Sequence, residues 1–402
     1  MQRGARSSGV LLHVTSLPSG RIDEDAYRFV DWLVEAGQSW WQLLPLQIPD
    51  ELGSPYASRS AFAGFEGLLA PPGSPTHDSG LGREGAPEGA WLEEWIAFAG
   101  EDERRAQTRF QREWLALKRY ANERGISLIG DIPLYVAGDS CDALTHPELF
   151  DRSVVAGAAP SLNHPAGQRW GMPVFDWPVH AADGFSWWLA RLERELELFD
   201  LLRIDHFRGL VKFWQLPPDE PDPRNGSWGD GPGIAFFDAA RERLGGLPLI
   251  LEDLGHITPD VDELRETIGL PGMNVVARVA DIDWRTDSVL YTSTHDSDTL
   301  AGWWQSWGRE HQPRLAAGAT SQEGEHRALL QNVLAVENEL VIIPAQDLLG
   351  LGSEARMNRP GTTGGRNWKW KLEEQLTSDQ AATVRSWTEA AGRMGASEAQ
   401  AA

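Results

Sequence analysis

Three carboxylic acids follow short apolar runs in this chain. Asp205 ends the run L-L-R-I-D, Glu252 ends L-P-L-I-L-E, and Asp296 follows V-L-Y-T-S-T-H. Such runs, followed at once by polar or glycine-rich residues, are typical of buried parallel strands that end at the carboxyl rim of a barrel. Two carboxyl groups beside one bond are the minimum equipment for cleaving a glycoside. The pattern therefore predicts glycoside chemistry at the rim of a parallel sheet.

The first acid has a cationic neighbour. Arg203 lies two residues before Asp205, so the two side chains are expected to share one face of a strand. A nearby guanidinium lowers the pKa of a carboxylate by about 1 to 3 units, which favours an anionic Asp205 at neutral pH. The alternative interpretation is a purely structural ion pair. The H-F-R-G sequence directly after Asp205 favours the functional interpretation.

The other acids have acidic neighbours of their own. Glu252 follows apolar residues that would favour its protonated form, as a proton donor requires. Asp253 is expected to point to the opposite face of the strand, and to cap a helix that begins near Leu254. Asp298 is expected to cap a helix over residues 299–307.

The elements that must position these acids alternate along the chain. Eight candidate strands are separated by amphipathic stretches with apolar residues three and four positions apart. This alternation predicts an α/β fold, a TIM (β/α)8 barrel with insertions in the barrel loops. No G-x-G-x-x-G follows a strand, which disfavours an open dinucleotide-binding sheet. The candidate strands cover residues 10–14, 40–44, 126–132, 201–205, 249–252, 274–279, 289–294 and 340–344, and the candidate helices 25–36, 104–123, 186–199, 259–268 and 327–336.

The domain organisation follows from this alternation. Residues 1–391 are expected to form a single catalytic barrel, and 392–402 a flexible tail of small and polar residues. Insertions rich in Gly and Pro are expected at about 53–98, between the second and third strands, and at 137–180, between the third and fourth. Loops at the carboxyl rim of barrels carry function, so both insertions should border the site.

The composition excludes several classes of partner. A formal charge of -23 disfavours binding to nucleic acid or to an anionic membrane and favours a neutral substrate. The single cysteine, Cys141, cannot form an internal disulfide. The apolar run at residues 9–12 is too short for the core of a signal peptide, so neither secretion nor membrane insertion is expected. These features predict a cytoplasmic protein. Nothing in the sequence indicates an oligomeric state.

No metal or cofactor is expected. Asp281, Asp283 and Asp287 lack the central glycine and the terminal glutamate of a calcium loop. The histidines at 146, 164 and 180 have no metal-ligand spacing. The 19 tryptophans suit stacking on sugar rings, although most are expected to pack in the core.

Further motifs accompany the three acids. They are G-V-L-L-H-V-T-S-L-P-S from Gly9, S-P-Y-A-S-R-S-A-F-A-G from Ser54, G-D-I-P-L-Y-V-A from Gly130, G-Q-R-W-G-M-P from Gly167 and M-N-R-P-G-T from Met357. Together these segments resemble the amylomaltase type of 4-alpha-glucanotransferase, glycoside hydrolase family 77. The resemblance extends in the family's order over essentially the whole chain.

The resemblance implies transfer of alpha-1,4-glucan segments to the 4-hydroxyl of an acceptor glucan or glucose by a retaining double displacement. It makes Asp205 the nucleophile, Glu252 the acid/base and Asp296 the stabiliser that holds the sugar's 2- and 3-hydroxyls. An alpha-glucan hydrolase with the same acids and an inactive glucan-binding protein are the alternatives. The resemblance also implies substrate-binding residues at Arg203, His295, Tyr56, Asp131 and Trp170, the last on a flexible loop that closes over bound glucan.

The chain departs from the family pattern in places. Met172 stands where the family usually has Asn, and Phe175 stands where Tyr is usual. The sequence after Phe65 also differs, and the chain is shorter than usual family members, chiefly between Leu69 and Trp91. These departures concern outer acceptor subsites and product length rather than the three acids.

Overall fold

The computed structural model describes residues 6–71, 87–161, 165–278 and 284–394. The predicted tail from 395 onward, part of the first predicted insertion, His164, Asp281 and Asp283 lie outside the described residues. Within the described ranges, no helix is both long and apolar enough to cross a membrane.

Short strands and helices alternate along the described ranges. The strands are β1 (Ser7–Leu11), β2 (Trp40–Gln42), β3 (Ser127–Ile132), β4 (Phe150–Ala158), β5 (Gln168–Phe175), β6 (Leu201–Ile204), β7 (Lys212–Leu216), β8 (Ser227–Asp230), β9 (Leu249–Leu251), β10 (Gly272–Val275), β11 (Ser288–Tyr291) and β12 (Leu340–Pro344). The helices are α1 (Glu24–Glu35), α2 (Ala90–Ala99), α3 (Asp102–Glu123), α4 (Cys141–Thr145), α5 (Trp177–Ala182), α6 (Ser186–Leu198), α7 (Ile234–Leu244), α8 (Pro259–Ile268), α9 (Leu300–Trp303), α10 (Arg309–His311), α11 (Gln322–Ala335), α12 (Ala345–Leu348) and α13 (Ser378–Ala390).

Eight parallel strands form the barrel sheet, in the order β10-β11-β12-β1-β2-β3-β6-β9. The two end strands meet, because the Leu251 N–H donates to the Pro271 carbonyl at 2.9 Å. All eight predicted strands are present, so the predicted barrel is confirmed. β1 begins earlier than expected, because pairing with β12 starts where the Ser7 N–H donates to the Glu339 carbonyl at 2.8 Å.

The helices begin and end where local chemistry allows. The Asp23 carboxylate accepts the N–H of Asp25 at the start of α1, which satisfies a backbone donor that the helix cannot pair. Pro259 opens α8, and Gly269 ends it in the left-handed conformation that glycine adopts without strain. The five predicted helices match α1, α3, α6, α8 and α11.

Two predicted caps are wrong. Thr299, not Asp298, caps α9, and its hydroxyl accepts the N–H of Gly302. The predicted α-helix over 299–307 also changes after four residues into a π-helix, Trp304–Gly308. Asp253 caps no helix, since it accepts the N–H of Met273 at 2.7 Å and pairs with Arg285 at 2.6 Å. Buried beside cationic side chains, Asp253 therefore ties β9 to β10.

Alternate residues of the barrel strands build two separate apolar layers. Ile129, Leu201 and Ile250 belong to a cluster that fills the barrel. Their neighbours Leu128 and Leu202 belong to the larger cluster between the barrel and its helices. This alternation is the two-residue period of a strand, and it points Asp131, Arg203 and Glu252 inward.

A second sheet stands above the carboxyl rim. It is antiparallel, has the order β5-β4-β7-β8, and draws its strands from two barrel loops. β4 and β5 come from the predicted insertion over 137–180, whereas β7 and β8 come from the loop after β6, which the sequence analysis did not identify. The two loops join where Val155 on β4 pairs with Leu216 on β7.

Candidate active site

The strand register brings the predicted acids to one level. Asp131 on β3 pairs with Arg203 on β6, and Ile204 pairs with Leu251 on β9. Asp205 and Glu252 are the next residues along, so they leave neighbouring strands side by side. The backbone ladder continues past them, because the Glu252 N–H donates to the Ile204 carbonyl at 3.0 Å.

Arg203 lies at the centre of the site. Its Nη1 contacts both carboxylate oxygens of Asp131, at 2.6 and 2.8 Å. Its Nη2 contacts Asp205 Oδ1 at 3.0 Å and Glu252 Oε2 at 3.4 Å. Burial opposes its charge, yet Asp131, Glu252 and Asp205 raise the pKa of Arg203 well above its usual range. The guanidinium is therefore a fixed positive charge between three carboxylates.

The shared nitrogen limits the distance between the two central acids. Because Arg203 Nη2 contacts Asp205 Oδ1 and Glu252 Oε2 at 3.0 and 3.4 Å, these two oxygens lie no more than about 6.4 Å apart. The spacing is compatible with retaining enzymes, whose carboxyls lie about 5–5.5 Å apart.

The surroundings of Glu252 differ from the expectation. The sequence suggested apolar neighbours, but Oε2 accepts the backbone N–H of His206 at 2.6 Å and also lies near Arg203. His206 has a φ of 50°, in the left-handed region, and this turn aims its N–H at Glu252. Burial lowers the pKa of the His206 imidazole to about 4, so the ring is neutral at physiological pH.

The pKa of Asp205 depends on more than its ion pair with Arg203. Burial raises the pKa of Asp205 well above its usual range, the Arg203 guanidinium opposes that rise, and the Glu252 carboxylate adds to it. Two carboxylates this close do not both ionise easily, which is why the Glu252 charge adds to the rise in the pKa of Asp205. The predicted contact with Arg203 is present, but burial and the Glu252 charge outweigh its effect on the pKa of Asp205.

Asp296 is held in its anionic form. Burial opposes ionisation, but His295, Arg278 and a hydrogen bond from Asn358 lower the pKa of Asp296 below its usual value. Asn358 Nδ2 donates to Asp296 Oδ1 at 2.7 Å. The Asn358 N–H also donates to the carbonyl of His295 at 2.9 Å, so one residue orients both.

A buried acid clamps the segment that carries Asp296. Asp347 accepts the hydroxyls of Thr292 and Ser293, each at 2.6 Å, and the N–H of Leu300 at 2.7 Å. Burial raises the pKa of Asp347 to about 6. Its three donors lie on both sides of Asp296, so Asp347 fixes the turn between β11 and α9.

The remaining predicted residues complete the wall. The hydroxyl of Tyr56 donates to Asp131 Oδ2 at 2.6 Å, and its ring stacks on His295 with centroids 5.0 Å apart. Trp170 packs edge-on against His206 at 4.8 Å. Trp170 was expected on a flexible loop, but it lies on β5 within the antiparallel sheet.

The acids open into a cavity of about 550 Å³. Ten of the 19 tryptophans are buried, but others line this cavity, including Trp214, Trp228 and Trp368. The Arg208 guanidinium lies 4.0 Å above the Trp228 ring. Flat aromatic faces around a cluster of acids suit a chain of sugar rings.

All eight predicted site residues thus lie at one site in the structure. Each contacts another of the eight, or contacts a residue that does, as Trp170 contacts His206. Sequence reasoning missed Asn358, Asp347 and the Trp228 wall. Asn358 lies in the quoted M-N-R-P-G-T motif, which was its only signal. Among the described residues, no group of three or more His, Cys, Asp or Glu side chains could hold a metal ion. Burial raises the pKa of the Cys141 thiol to about 11.

Comparisons with known proteins agree with this geometry. The family model described as 4-alpha-glucanotransferase, glycoside hydrolase family 77, matches residues 12–85 and 101–377. A 4-alpha-glucanotransferase of Aquifex aeolicus is 35% identical over 470 aligned residues, covering 92% of this chain and 96% of the relative. One of Thermus thermophilus is 35% identical over 498, covering 97% and 99%.

A solved amylomaltase from Streptococcus agalactiae, in complex with acarbose, superposes with a TM-score of 0.82 at 28% identity, covering 97% of this chain and 100% of that one. The alignments are longer than the 402 residues of this chain, so the relatives contain insertions that it lacks. The family match, the two relatives and the barrel geometry lead to one conclusion: the chain belongs to the 4-alpha-glucanotransferase family, glycoside hydrolase family 77.

Proposed function

We propose that this protein transfers alpha-1,4-glucan segments to the 4-hydroxyl of an acceptor glucan or glucose, with Asp205 as nucleophile, Glu252 as acid/base and Asp296 as stabiliser. The roles are those that the family resemblance implies, and one observation carries the proposal that the two central acids act together. A single guanidinium nitrogen of Arg203 contacts both Asp205 and Glu252 at the floor of the cleft, at a spacing that suits a retaining reaction.

In the first half-reaction, Asp205 attacks the anomeric carbon while Glu252 protonates the departing glycosidic oxygen. This step needs one proton on the pair, located on Glu252. With that proton on Glu252, the carboxylate charge that adds to burial in raising the pKa of Asp205 is absent, and Arg203 stabilises the Asp205 anion. Asp296, whose pKa lies below its usual value, is available as an anion to accept hydrogen bonds from the sugar's 2- and 3-hydroxyls.

In the second half-reaction, Glu252 has lost its proton and acts as a base. It removes the proton from the 4-hydroxyl of the incoming acceptor, which attacks the covalent glucosyl–Asp205 intermediate from the side the leaving group vacated. The stereochemistry at the anomeric carbon is retained, because two displacements each invert it.

Transfer competes with hydrolysis at this second step. The outcome depends on how well the cleft binds a sugar acceptor in place of water. Trp170, Tyr56, Trp228 and Trp368 offer ring faces on the cavity wall, and these favour an acceptor sugar. The hydrolase alternative keeps the same acids but lacks support in the family match. We also propose a single catalytic unit over residues 1–391 and a cytoplasmic location.

The product pattern from maltotriose tests the activity. Transfer yields glucose and a ladder of longer oligomers, whereas hydrolysis yields only shorter sugars.

Asp205→Asn should lower turnover by several orders of magnitude and leave the thermal unfolding midpoint nearly unchanged, since it keeps the shape of the side chain. Asp219→Asn, on an exposed turn, is the matched control and should retain full activity. Normal turnover of Asp205→Asn would refute the nucleophile assignment.

A further inference from the structure

A second cavity adjoins the catalytic cleft beside Asp296. Its volume is about 640 Å³, and Asp296, Gly255 and Pro360 belong to the walls of both cavities. Three arginines line the second cavity: Arg278, Arg356 and Arg359. In a protein with a formal charge of -23, three cations beside a site for neutral sugars need an explanation.

Within the described ranges, these arginines form no ion pairs. Among the residues that the structure describes, no carboxylate oxygen lies within 4.0 Å of a guanidinium nitrogen of Arg278, Arg356 or Arg359. Arg356 donates to the backbone carbonyls of Asp296 and Asn358, each at 3.2 Å. Arg356 Nε also donates to the Asn358 carbonyl, at 3.3 Å. Counted over the described residues alone, most of the donors in the three guanidinium groups have no protein acceptor.

The two carboxylates in the cavity wall have other partners. Asp298 accepts the hydroxyl of Ser353 at 2.8 Å and the N–H of Thr299 at 2.9 Å. Asp296 accepts the amide of Asn358 at 2.7 Å. With three arginines against two aspartates, the described wall of this cavity has a net positive charge.

The guanidinium groups lie close enough to repel one another. Burial lowers the pKa of Arg356, Asp298 opposes this, and the charges of Arg359 and Arg278 lower it further. A bound anion would relieve that repulsion. The same cavity is lined by Trp303 and Trp307, whose ring centroids are 5.8 Å apart. Trp303 is the last residue of α9, and Trp307 lies in the π-helical turn that follows it. π-helical turns occur frequently at functional sites.

We propose that Arg278, Arg356 and Arg359 form a binding site for a phosphate group, either free or as a monoester on a glucose unit. The planar fork of a guanidinium matches two phosphate oxygens at once, and several forks around one group give strong charge-assisted hydrogen bonds. A free phosphate would use the arginines alone. An ester would also place its sugar against the tryptophans or in the shared wall of the cleft. This site goes beyond the proposed transfer reaction and requires no turnover.

Direct binding to the full-length protein tests the proposal. Isothermal titration in low-salt buffer would use inorganic phosphate, glucose 6-phosphate and glucose as probes. Both phosphate probes should bind, and Arg359→Gln should weaken that binding about tenfold, since it removes a charge-assisted hydrogen bond. Any binding of glucose should be unaffected. Arg366→Gln is the matched control, because Arg366 is exposed on the same loop but lines a different cavity.

The probes also separate the two sources of the phosphate group. Tighter binding of glucose 6-phosphate than of inorganic phosphate would identify an ester, whereas equal binding would identify free phosphate. Arg278→Gln gives a second variant, in a different segment of the chain from 356–359, and should weaken both phosphate probes. The proposal is overturned if neither phosphate probe binds, if Arg359→Gln and Arg278→Gln bind as the natural protein does, or if Arg366→Gln weakens binding equally. Because no turnover is measured, a failure of the transfer assay leaves this result interpretable.

Discussion

The backbone N–H of His206 donates to Glu252 Oε2 at 2.6 Å. His206 follows Asp205 directly and holds a φ of 50°, a conformation that costs a residue with a Cβ atom about 1–2 kcal/mol. Since the turn begins at Asp205 and its N–H binds Glu252, one backbone conformation sets the positions of both central acids.

Replacing His206 with residues that differ in tolerance of this conformation tests that relationship. His206→Asn should keep the turn, because Asn adopts left-handed backbone readily. His206→Val should lower the free energy of unfolding by about 1–2 kcal/mol relative to Asn and reduce kcat on maltotriose by a further tenfold or more. Both variants lose the imidazole that Trp170 contacts, so urea unfolding and turnover of the pair isolate the backbone effect. Equal values for the two would refute it.

The pH profile of Glu252→Gln should report on Asp205. The Glu252 carboxylate raises the pKa of Asp205, in addition to burial. Removing that charge lowers the pKa, so more Asp205 is ionised at a given acidic pH. With α-maltosyl fluoride, whose leaving group needs no proton, the acid limb of kcat/KM should therefore move to lower pH than in the natural protein. An acid limb that stays in place or moves to higher pH would contradict the coupling.

Asp131 should matter more than the tyrosine that contacts it. Asp131→Asn removes the closest carboxylate of a buried guanidinium, and breaking a buried pair costs about 3–5 kcal/mol. Because Arg203 then shifts toward Asp205 and Glu252, kcat/KM should also fall about 100-fold. Tyr56→Phe removes only the hydroxyl that donates to Asp131, which costs about 1.5–3 kcal/mol. A larger loss of stability in Tyr56→Phe than in Asp131→Asn, by urea unfolding, would reverse this order.

The features that the sequence predicted are those with a local pattern. Each barrel strand is an apolar run with a polar end, and Arg203 and Asp205 share a face because strands have a two-residue period. These signals were enough for the barrel and its three acids. The caps assigned to Asp253 and Asp298 failed because each acid has a tertiary partner, Arg285 in one case and Ser353 in the other.

The missed features depend on contacts between distant segments. Asn358 reaches Asp296 across 62 residues of sequence, and no spacing rule links them. The antiparallel sheet combines two barrel loops, and Gly171 and Pro173 in β5 obscure the strand alternation. The family resemblance placed Trp170 on a flexible loop, and its position on a strand emerged only with the tertiary pairing.

Asn358 offers a test of how Asp296 is held. Asn358→Ala removes the hydrogen bond to Asp296 and should lower kcat/KM about tenfold. Asn358→Asp is isosteric but places a second charge against Asp296 Oδ1, so it should raise the pKa of Asp296 and lower kcat/KM further. The acid limb of activity in Asn358→Asp should move to higher pH than in Asn358→Ala. If Asn358→Asp were the more active variant, the contact would not stabilise the anion.

Buried histidine makes the fold sensitive to acid. Burial, with a smaller effect of His295, lowers the pKa of His13 to about 3, whereas an unfolded histidine titrates near 6.5. As the pH falls below about 6.5 the unfolded chain gains a proton that the folded chain excludes, so stability falls by about 2 kcal/mol by pH 5. His13→Asn should remove about that much of the difference between urea unfolding at pH 7 and at pH 5. An unchanged pH dependence would rule out His13 as its source.

The antiparallel sheet has a consequence for engineering. β7 and β8 form a hairpin that pairs with β4 along β7, and it carries Trp214 and Trp228 without any of the three acids. Exchanging residues 212–230 for the matching hairpin of a relative would redesign the aromatic surface while leaving bond cleavage intact. The length distribution of the oligosaccharides could then be tuned as an independent trait, by grafting one module rather than by mutating the reaction centre.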